Sequence, residues 1–317
     1  MVGLISTTPA LANDKIAFGL DWKAEAEYGG FYQAVATGIY ARHGLDVTIV
    51  EGGPQINDMT LLMAGRVQFN LGGGQAVEFV QQKLPFVAVA AIFQKSESVL
   101  IAHPGMGDDS FPALKGKPIA LGAGARASWW RFLAAKFGYS ESQVRPYTFN
   151  LAPFLADKNL IQEGYLGSEP YLIEQQAHFK PVVLPIADAG FQGYANIITT
   201  STKLVADNPD LVQRFVDASI EGWYSYLYND PAPADALIRK ANPDMPQDLI
   251  DYGRKVMKEY GVVDSGDAKT MGVGAMTDAR WEGFYNSMAD VGVYPKGLDI
   301  KPAYTLRFVN HRVGMTK

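Results

Sequence analysis

Between residues 15 and 197 the chain alternates short apolar runs with segments of helical spacing, and few folds accommodate that rhythm. The pattern predicts strands over 15–20, 45–50, 67–71 and 85–93. Between them it predicts helices over 30–43 (Phe31, Ala34, Val35 and Ile39 on one face, stopped at Gly44), 58–64 and 76–83. Repeated β-α-β-α units build a parallel sheet covered by helices. A second cycle follows, with strands over 118–121, 144–149, 165–167 and 182–186. Its helices are expected over 128–137, ended by Gly138, and over 153–163 and 170–177, with a capping-box pattern at Ser140-Glu-Ser-Gln143. After Ile197 the pattern is helical. Asn208-Pro209 caps a helix carrying Leu211, Phe215, Ile220, Trp223 and Leu227 on one face, and further helices are expected over 247–259 and 278–289.

Two α/β cycles followed by helices predict two lobes. Val99–Ala102 and Ala195–Thr200 are the expected crossings, giving lobe one as 13–100 plus 195–317 and lobe two as 101–194. A chain of 317 residues with 48% apolar residues has material for two cores. A net charge of −5 argues against nucleic acid as a partner, because phosphate recognition needs concentrated basic surface. The absence of cysteine removes disulfide scaffolds, thiolate nucleophiles and iron–sulfur clusters. The four histidines are scattered, and no metal or other cofactor is expected. Residues 1–12 end in Ala10-Leu11-Ala12, the form of a signal-peptidase site, and are read as the tail of a secretory signal. With no cysteine behind it, a free periplasmic protein is expected.

Enzyme signatures are weak. Gly122-Ala-Gly124-Ala-Arg-Ala127 matches a dinucleotide-binding turn, but no carboxylate stands at the end of the next strand, where ribose recognition requires one. A plain strand-to-helix turn, whose N–H groups could still hold an anion, is the better reading. No nucleophile elbow and no phosphate-binding P-loop is present, and no catalytic residue is assigned.

The segment Asp21-Trp22-Lys-Ala-Glu25-Ala-Glu27-Tyr28-Gly29-Gly30 concentrates two aromatics and three carboxylates between a strand and a helix. Acids there are ordinary partners of a helix dipole, whereas a large aromatic in a loop over a cleft is a stacking platform. Together with Gly30-Phe31-Tyr32-Gln-Ala34, Gly38-Ile-Tyr40, Gly44-Leu45-Asp46-Val47, Met63-Ala-Gly-Arg-Val67, Gly72, Leu114-Lys-Gly-Lys117, Glu169-Pro170-Tyr171 and Asn208-Pro209, it resembles the solute-binding proteins for thiamine-pyrimidine precursors. These belong with the nitrate, sulfonate and taurine binding group of ABC importers. The resemblance covers most of the chain and implies a type II periplasmic-binding-protein fold, two α/β lobes joined by two crossover segments and closing like a clamp.

The resemblance further implies that Trp22 packs on a heterocycle and that Glu169 pairs with its amino group and ring nitrogen. It implies a small-molecule ligand, an ABC permease of the inner membrane as partner, and a monomer. A related pyrimidine-synthase branch carries a histidine where Tyr28 stands and a cysteine-rich run that this chain lacks, which disfavours synthase activity. The remaining ligand candidates are Gly73 and Gln75 in the glycine loop, Arg126, Ser128 and Trp129 in the second lobe, and Asp188 and Tyr194 near the second crossing. Trp22 and the carboxylates favour an amino-substituted heteroaromatic. Arg126, at a helix N-terminus, favours an aromatic carboxylate or sulfonate.

Overall fold

A computed structural model describes residues 12–53, 58–72, 76–148 and 150–315. Its strands are β1 (Asp14–Gly19), β2 (Leu45–Val50), β3 (Phe69–Gly72), β4 (Phe86–Phe93), β5 (Ser98–Ala102), β6 (Ile119–Leu121), β7 (Val144–Pro146), β8 (Ile161–Tyr165), β9 (Val182–Pro185) and β10 (Ala195–Ser201). They form two five-stranded sheets, ordered β2-β1-β3-β10-β4 and β7-β6-β8-β5-β9. In the first, β1 runs parallel to β2 and β3, while β10 returns antiparallel between β3 and β4. In the second, β6 is parallel to β7 and β8, and β5 is antiparallel to β8 and β9. The chain thus leaves the first sheet after β4 and returns to it at β10. This is the two-lobed type II arrangement with two crossovers.

Val99–Ala102 is not a crossing segment. It lies in β5, inside the second sheet, just as Ala195–Thr200 lies in β10 inside the first; the chain passes between the lobes at residues 94–97 and returns over residues 190–194. The expected helix over 153–163 is also divided. The helix is Ala152–Ala156, a turn in which Asp157 Oδ1 accepts the Asn159 N–H ends it, and β8 occupies the rest. The helix expected over 30–43 breaks at Gly38, whose φ of 69° is open to glycine at little cost.

The first lobe packs on the long helix Pro209–Tyr228, which the Asn208 side chain caps by accepting the Leu211 N–H. Phe215 stacks on Phe69 with ring centroids 4.0 Å apart, and Trp223 meets Phe31 and Phe93 edge to face. Each such ring contributes about 1.5–3 kcal/mol by leaving water. The pair Gly29-Gly30 makes this contact possible. A β-carbon at Gly30 would lie 2.3 Å from the Trp223 ring, so helix Gly29–Ala36 seats directly on its neighbour. That seating fixes the Asp21–Tyr28 segment at the lobe boundary.

Candidate binding cleft

Three stretches of chain bring their acids to the boundary between the lobes. From lobe one comes the segment after β1, where the 3₁₀ turn Ala26–Tyr28 leads into helix Gly29–Ala36. Its Glu27 is 3% exposed, and the Tyr28 hydroxyl donates to Asp21 Oδ1 at 2.8 Å. From the crossover comes Glu97, 7% exposed, whose backbone carbonyl accepts the Leu166 N–H at 2.9 Å. From lobe two come Glu163 and Glu169, which flank the turn after β8. Glu169 accepts from the Tyr165 N–H at 2.7 Å and from the Tyr147 hydroxyl at 3.1 Å.

Burial without compensating cations raises the pKa of every glutamate in this group. Glu25 and Glu97 are pushed well above the carboxylate range, first by desolvation and then by their acidic neighbours. Glu27 is pushed up to about 7 by burial, with Glu169 adding to it, and Glu163 likewise reaches about 7 through burial. The charges that act on Glu25, Glu27 and Glu97 are all carboxylates. Within this group, Glu27 Oε1, Glu97 Oε2 and Glu163 Oε2 are buried and have no hydrogen-bond partner among the described residues. A buried oxygen without a partner costs about 1–3 kcal/mol, and a hydrogen-bond donor reaching these atoms would recover it. Among the described residues no group of three or more His, Asp or Glu side chains is arranged to hold a metal ion.

Aromatic faces border the acids. Trp22 is half-buried against the first core, and Tyr165 keeps 40% of its surface exposed although Asp21, Glu163, Glu25 and Glu97 all act on its hydroxyl. Glu97, Glu163 and Tyr165 were not among the residues singled out from sequence. Glu163 sits in the stretch read as helix, and Glu97 follows a buried strand with no motif around it.

The structure therefore assembles Asp21, Glu25, Glu27, Tyr28 and Glu169, while Trp22 packs half-buried against the core of lobe one. Other expected residues are turned elsewhere. Arg126 is exposed and pairs with Glu141 at 2.6 Å. Ser128 donates its hydroxyl to the Gly124 carbonyl, and Trp129 is buried in the main core. Asp188 is exposed and accepts the Tyr260 hydroxyl, while the Tyr194 hydroxyl donates to Asp267 at 2.7 Å. Gly73 and Gln75, like residues 1–11 of the expected signal tail, lie outside the described residues. The glycine turn after β6 is not an open anion site either. The Gly122 N–H already donates to Glu163 Oε1 at 2.8 Å. A separate cavity of about 310 Å³ in lobe two is lined by Arg145, Asn150, Asp157 and Gln162. Successive strand residues point to opposite faces, so Gln162 and Glu163 look away from each other, and this cavity is not the acidic cleft.

Two sheets linked by two crossovers, with a side-chain cluster where they meet, define a two-lobed binding protein of the periplasmic-binding-protein fold. The chain belongs to the NMT1/THI5-like family, whose model matches residues 25–234. It is 26% identical over 304 residues to the riboflavin-binding protein RibY of Chloroflexus aurantiacus, covering 93% of this chain and 86% of that protein. Its fold is shared with the periplasmic aliphatic sulphonate binding protein SsuA of Escherichia coli, at TM-score 0.68 and 13% identity over 92% of this chain and 91% of that one. It is shared too with a Candida albicans protein described as having the generic periplasmic binding protein fold, at TM-score 0.62 and 15% identity over 93% and 96%.

Proposed function

We propose that this chain is the extracytoplasmic solute-binding component of an ABC importer and captures a planar heteroaromatic solute rich in hydrogen-bond donors. One observation carries the reading: Glu25, Glu27, Glu97, Glu163 and Glu169 converge from both lobes and the crossover, beside Tyr165, and among the described residues no cation acts on Glu25, Glu27 or Glu97. Carboxyl groups accept from N–H and O–H groups, and aromatic faces take a flat ring. An isoalloxazine with its polyol chain and an aminopyrimidine both meet that description. The RibY relationship puts riboflavin first among the probes, and the thiamine-pyrimidine reading second.

An alkyl sulfonate does not suit this cleft, although the sulfonate binders share the fold. Its charge would enter a pocket of acids, Arg126 is committed to Glu141, and Glu163 already holds the Gly122 N–H. Binding without chemistry is the reading we adopt, since the RibY relative and the SsuA neighbour are both named as binding proteins. A calorimetric screen of riboflavin, an aminopyrimidine, benzoate and taurine tests it. Binding confined to taurine or benzoate would overturn the reading.

A further inference from the structure

Glu27 and Glu97 share a geometry that the proposed function alone does not explain. Glu97 stands on the crossover, and its backbone carbonyl holds the Leu166 N–H of lobe two. Glu27 stands on lobe one, and its backbone carbonyl accepts Asn196 Nδ2 at 3.1 Å from the returning strand β10. Both residues are therefore pinned at the two places where the chain passes between lobes. Each is more than nine-tenths buried and each keeps an unpartnered carboxyl oxygen. Glu27 is the charge that acts most strongly on Glu97.

The groups facing this pair are of one kind. Asp21 and Glu25 come from the same segment as Glu27, and Tyr165 and Glu169 come from lobe two. From helix Pro209–Tyr228, Tyr226 lies within the field of Glu27, and its own cation is Arg254 on helix Gln247–Tyr260. Arg254 is engaged by Asp235 and Asp251. Two carboxylates cannot both remain charged in such a place, because desolvation and mutual repulsion act together.

We propose that Glu27 and Glu97 are specificity-determining residues that hold one carboxyl protonated in the closed clamp and use it to read a neutral donor–acceptor edge of the solute. A protonated carboxyl donates through O–H and accepts through C=O, so it matches a ring edge with an adjacent donor and acceptor, such as an imide or a 2-aminopyridine-type edge. A carboxylate pair would instead select a fixed cation. Once that carboxyl loses its proton it no longer donates, so affinity falls as pH rises through its titration. The inference rests on the clamp reading and adds to it the protonation state and the edge chemistry.

The test uses the full chain with riboflavin as probe, titrated by fluorescence from pH 5.5 to 8.5. Wild-type affinity is expected to fall up to about tenfold per pH unit above neutrality, the slope for one proton. Glu97→Gln, whose amide also donates and accepts, is expected to bind with a flat pH profile. Glu97→Ala is expected to lose at least about tenfold at pH 6, one truncated anchor's worth. A flat wild-type profile, or Glu97→Gln as weak as Glu97→Ala, overturns the proposal and leaves the clamp standing. Difference infrared spectroscopy on the solute-free protein decides independently of the probe. A protonated-carboxyl band at pH 7 that weakens in Glu97→Gln supports the proposal, and its absence from the wild type overturns it. Failure of riboflavin to bind while that band is present rejects the flavin and keeps the pair.

Discussion

Glu27 and Gly167 meet across the lobe boundary so closely that a β-carbon on Gly167 would lie 2.3 Å from Glu27 Oε1. The same β-carbon would lie 3.1 Å from the Gly253 Cα, on the helix that also receives the Tyr171 hydroxyl through Asp248. Lobe two thus rests there on the Gly253 backbone and the Glu27 carboxyl group, and a single added methyl group would hold the lobes apart. Gly167→Ala is expected to weaken solute binding about tenfold, roughly 1.4 kcal/mol, while each lobe keeps its packing. Calorimetry with riboflavin and a thermal melt of the solute-free protein check both halves. Unchanged affinity would mean that the lobes do not close by this contact.

The buried acids also set how stability depends on pH. Glu27 and Glu163 are pushed up to about 7 in the fold, mainly by burial. A raised acid contributes stability that is complete below the unfolded pKa, about 4.3, and is lost as pH rises through the folded one. The melting temperature of the solute-free protein is therefore expected to fall between pH 5 and pH 8. Glu163→Gln keeps an oxygen for the Gly122 N–H and removes the charge, so it is expected to flatten the curve and raise the melting point at pH 8. The acids with lowered pKa values, Glu141, Asp248 and Asp278, act at lower pH and leave this window alone. A melting point that rises from pH 5 to pH 8 would contradict the buried cluster.

Much of the architecture was legible because hydrophobic periodicity records which face of an element is buried. β4 is buried at all eight positions and was visible as a continuous apolar run. β8 was not, because Gln162, Glu163 and Gly164 give it no strand-like alternation; its acid instead accepts the Gly122 N–H at the end of β6. The same reason hid Glu97. A single carboxylate on a crossover has no period and no motif, and only the folded chain shows that it is buried at the lobe boundary. Arg126 was expected at the ligand for the opposite reason. Its place at a helix N-terminus suggested an anion, but its partner, Glu141, lies in the capping turn fifteen residues on.

Ring recognition can be separated from acid recognition. Trp22 and Tyr165 offer faces, and stacking on such faces contributes about 0.5–1.5 kcal/mol beyond area burial. Trp22→Ala and Tyr165→Ala are each expected to weaken riboflavin binding about tenfold or more, without changing the slope of affinity against pH. Tyr165→Phe keeps the face and is expected to bind within about twofold of the wild type, a difference below 0.5 kcal/mol. Fluorescence titration of the three variants distinguishes the cases. Unaltered binding in Trp22→Ala would remove the flat-ring solute from consideration.

Arg126 supplies the sharpest contrast between an anionic and a donor-rich solute. Its guanidinium pairs with Glu141 at 2.6 Å, with side chains 53% and 64% exposed, and Glu141 also accepts the Trp130 indole N–H. Surface pairs of this kind are worth about 0–1 kcal/mol, and Trp130 keeps its acceptor when Arg126 is removed. Arg126→Ala is therefore expected to change riboflavin affinity by less than about twofold and to leave the fold within about 0.5 kcal/mol of wild type. Were the solute a sulfonate or carboxylate held by this residue, the same substitution would cost at least 1.5–3 kcal/mol, the range for a hydrogen bond to a charged group. Calorimetry of the variant against riboflavin and benzoate separates the two, and a tenfold loss of riboflavin binding would return Arg126 to the site.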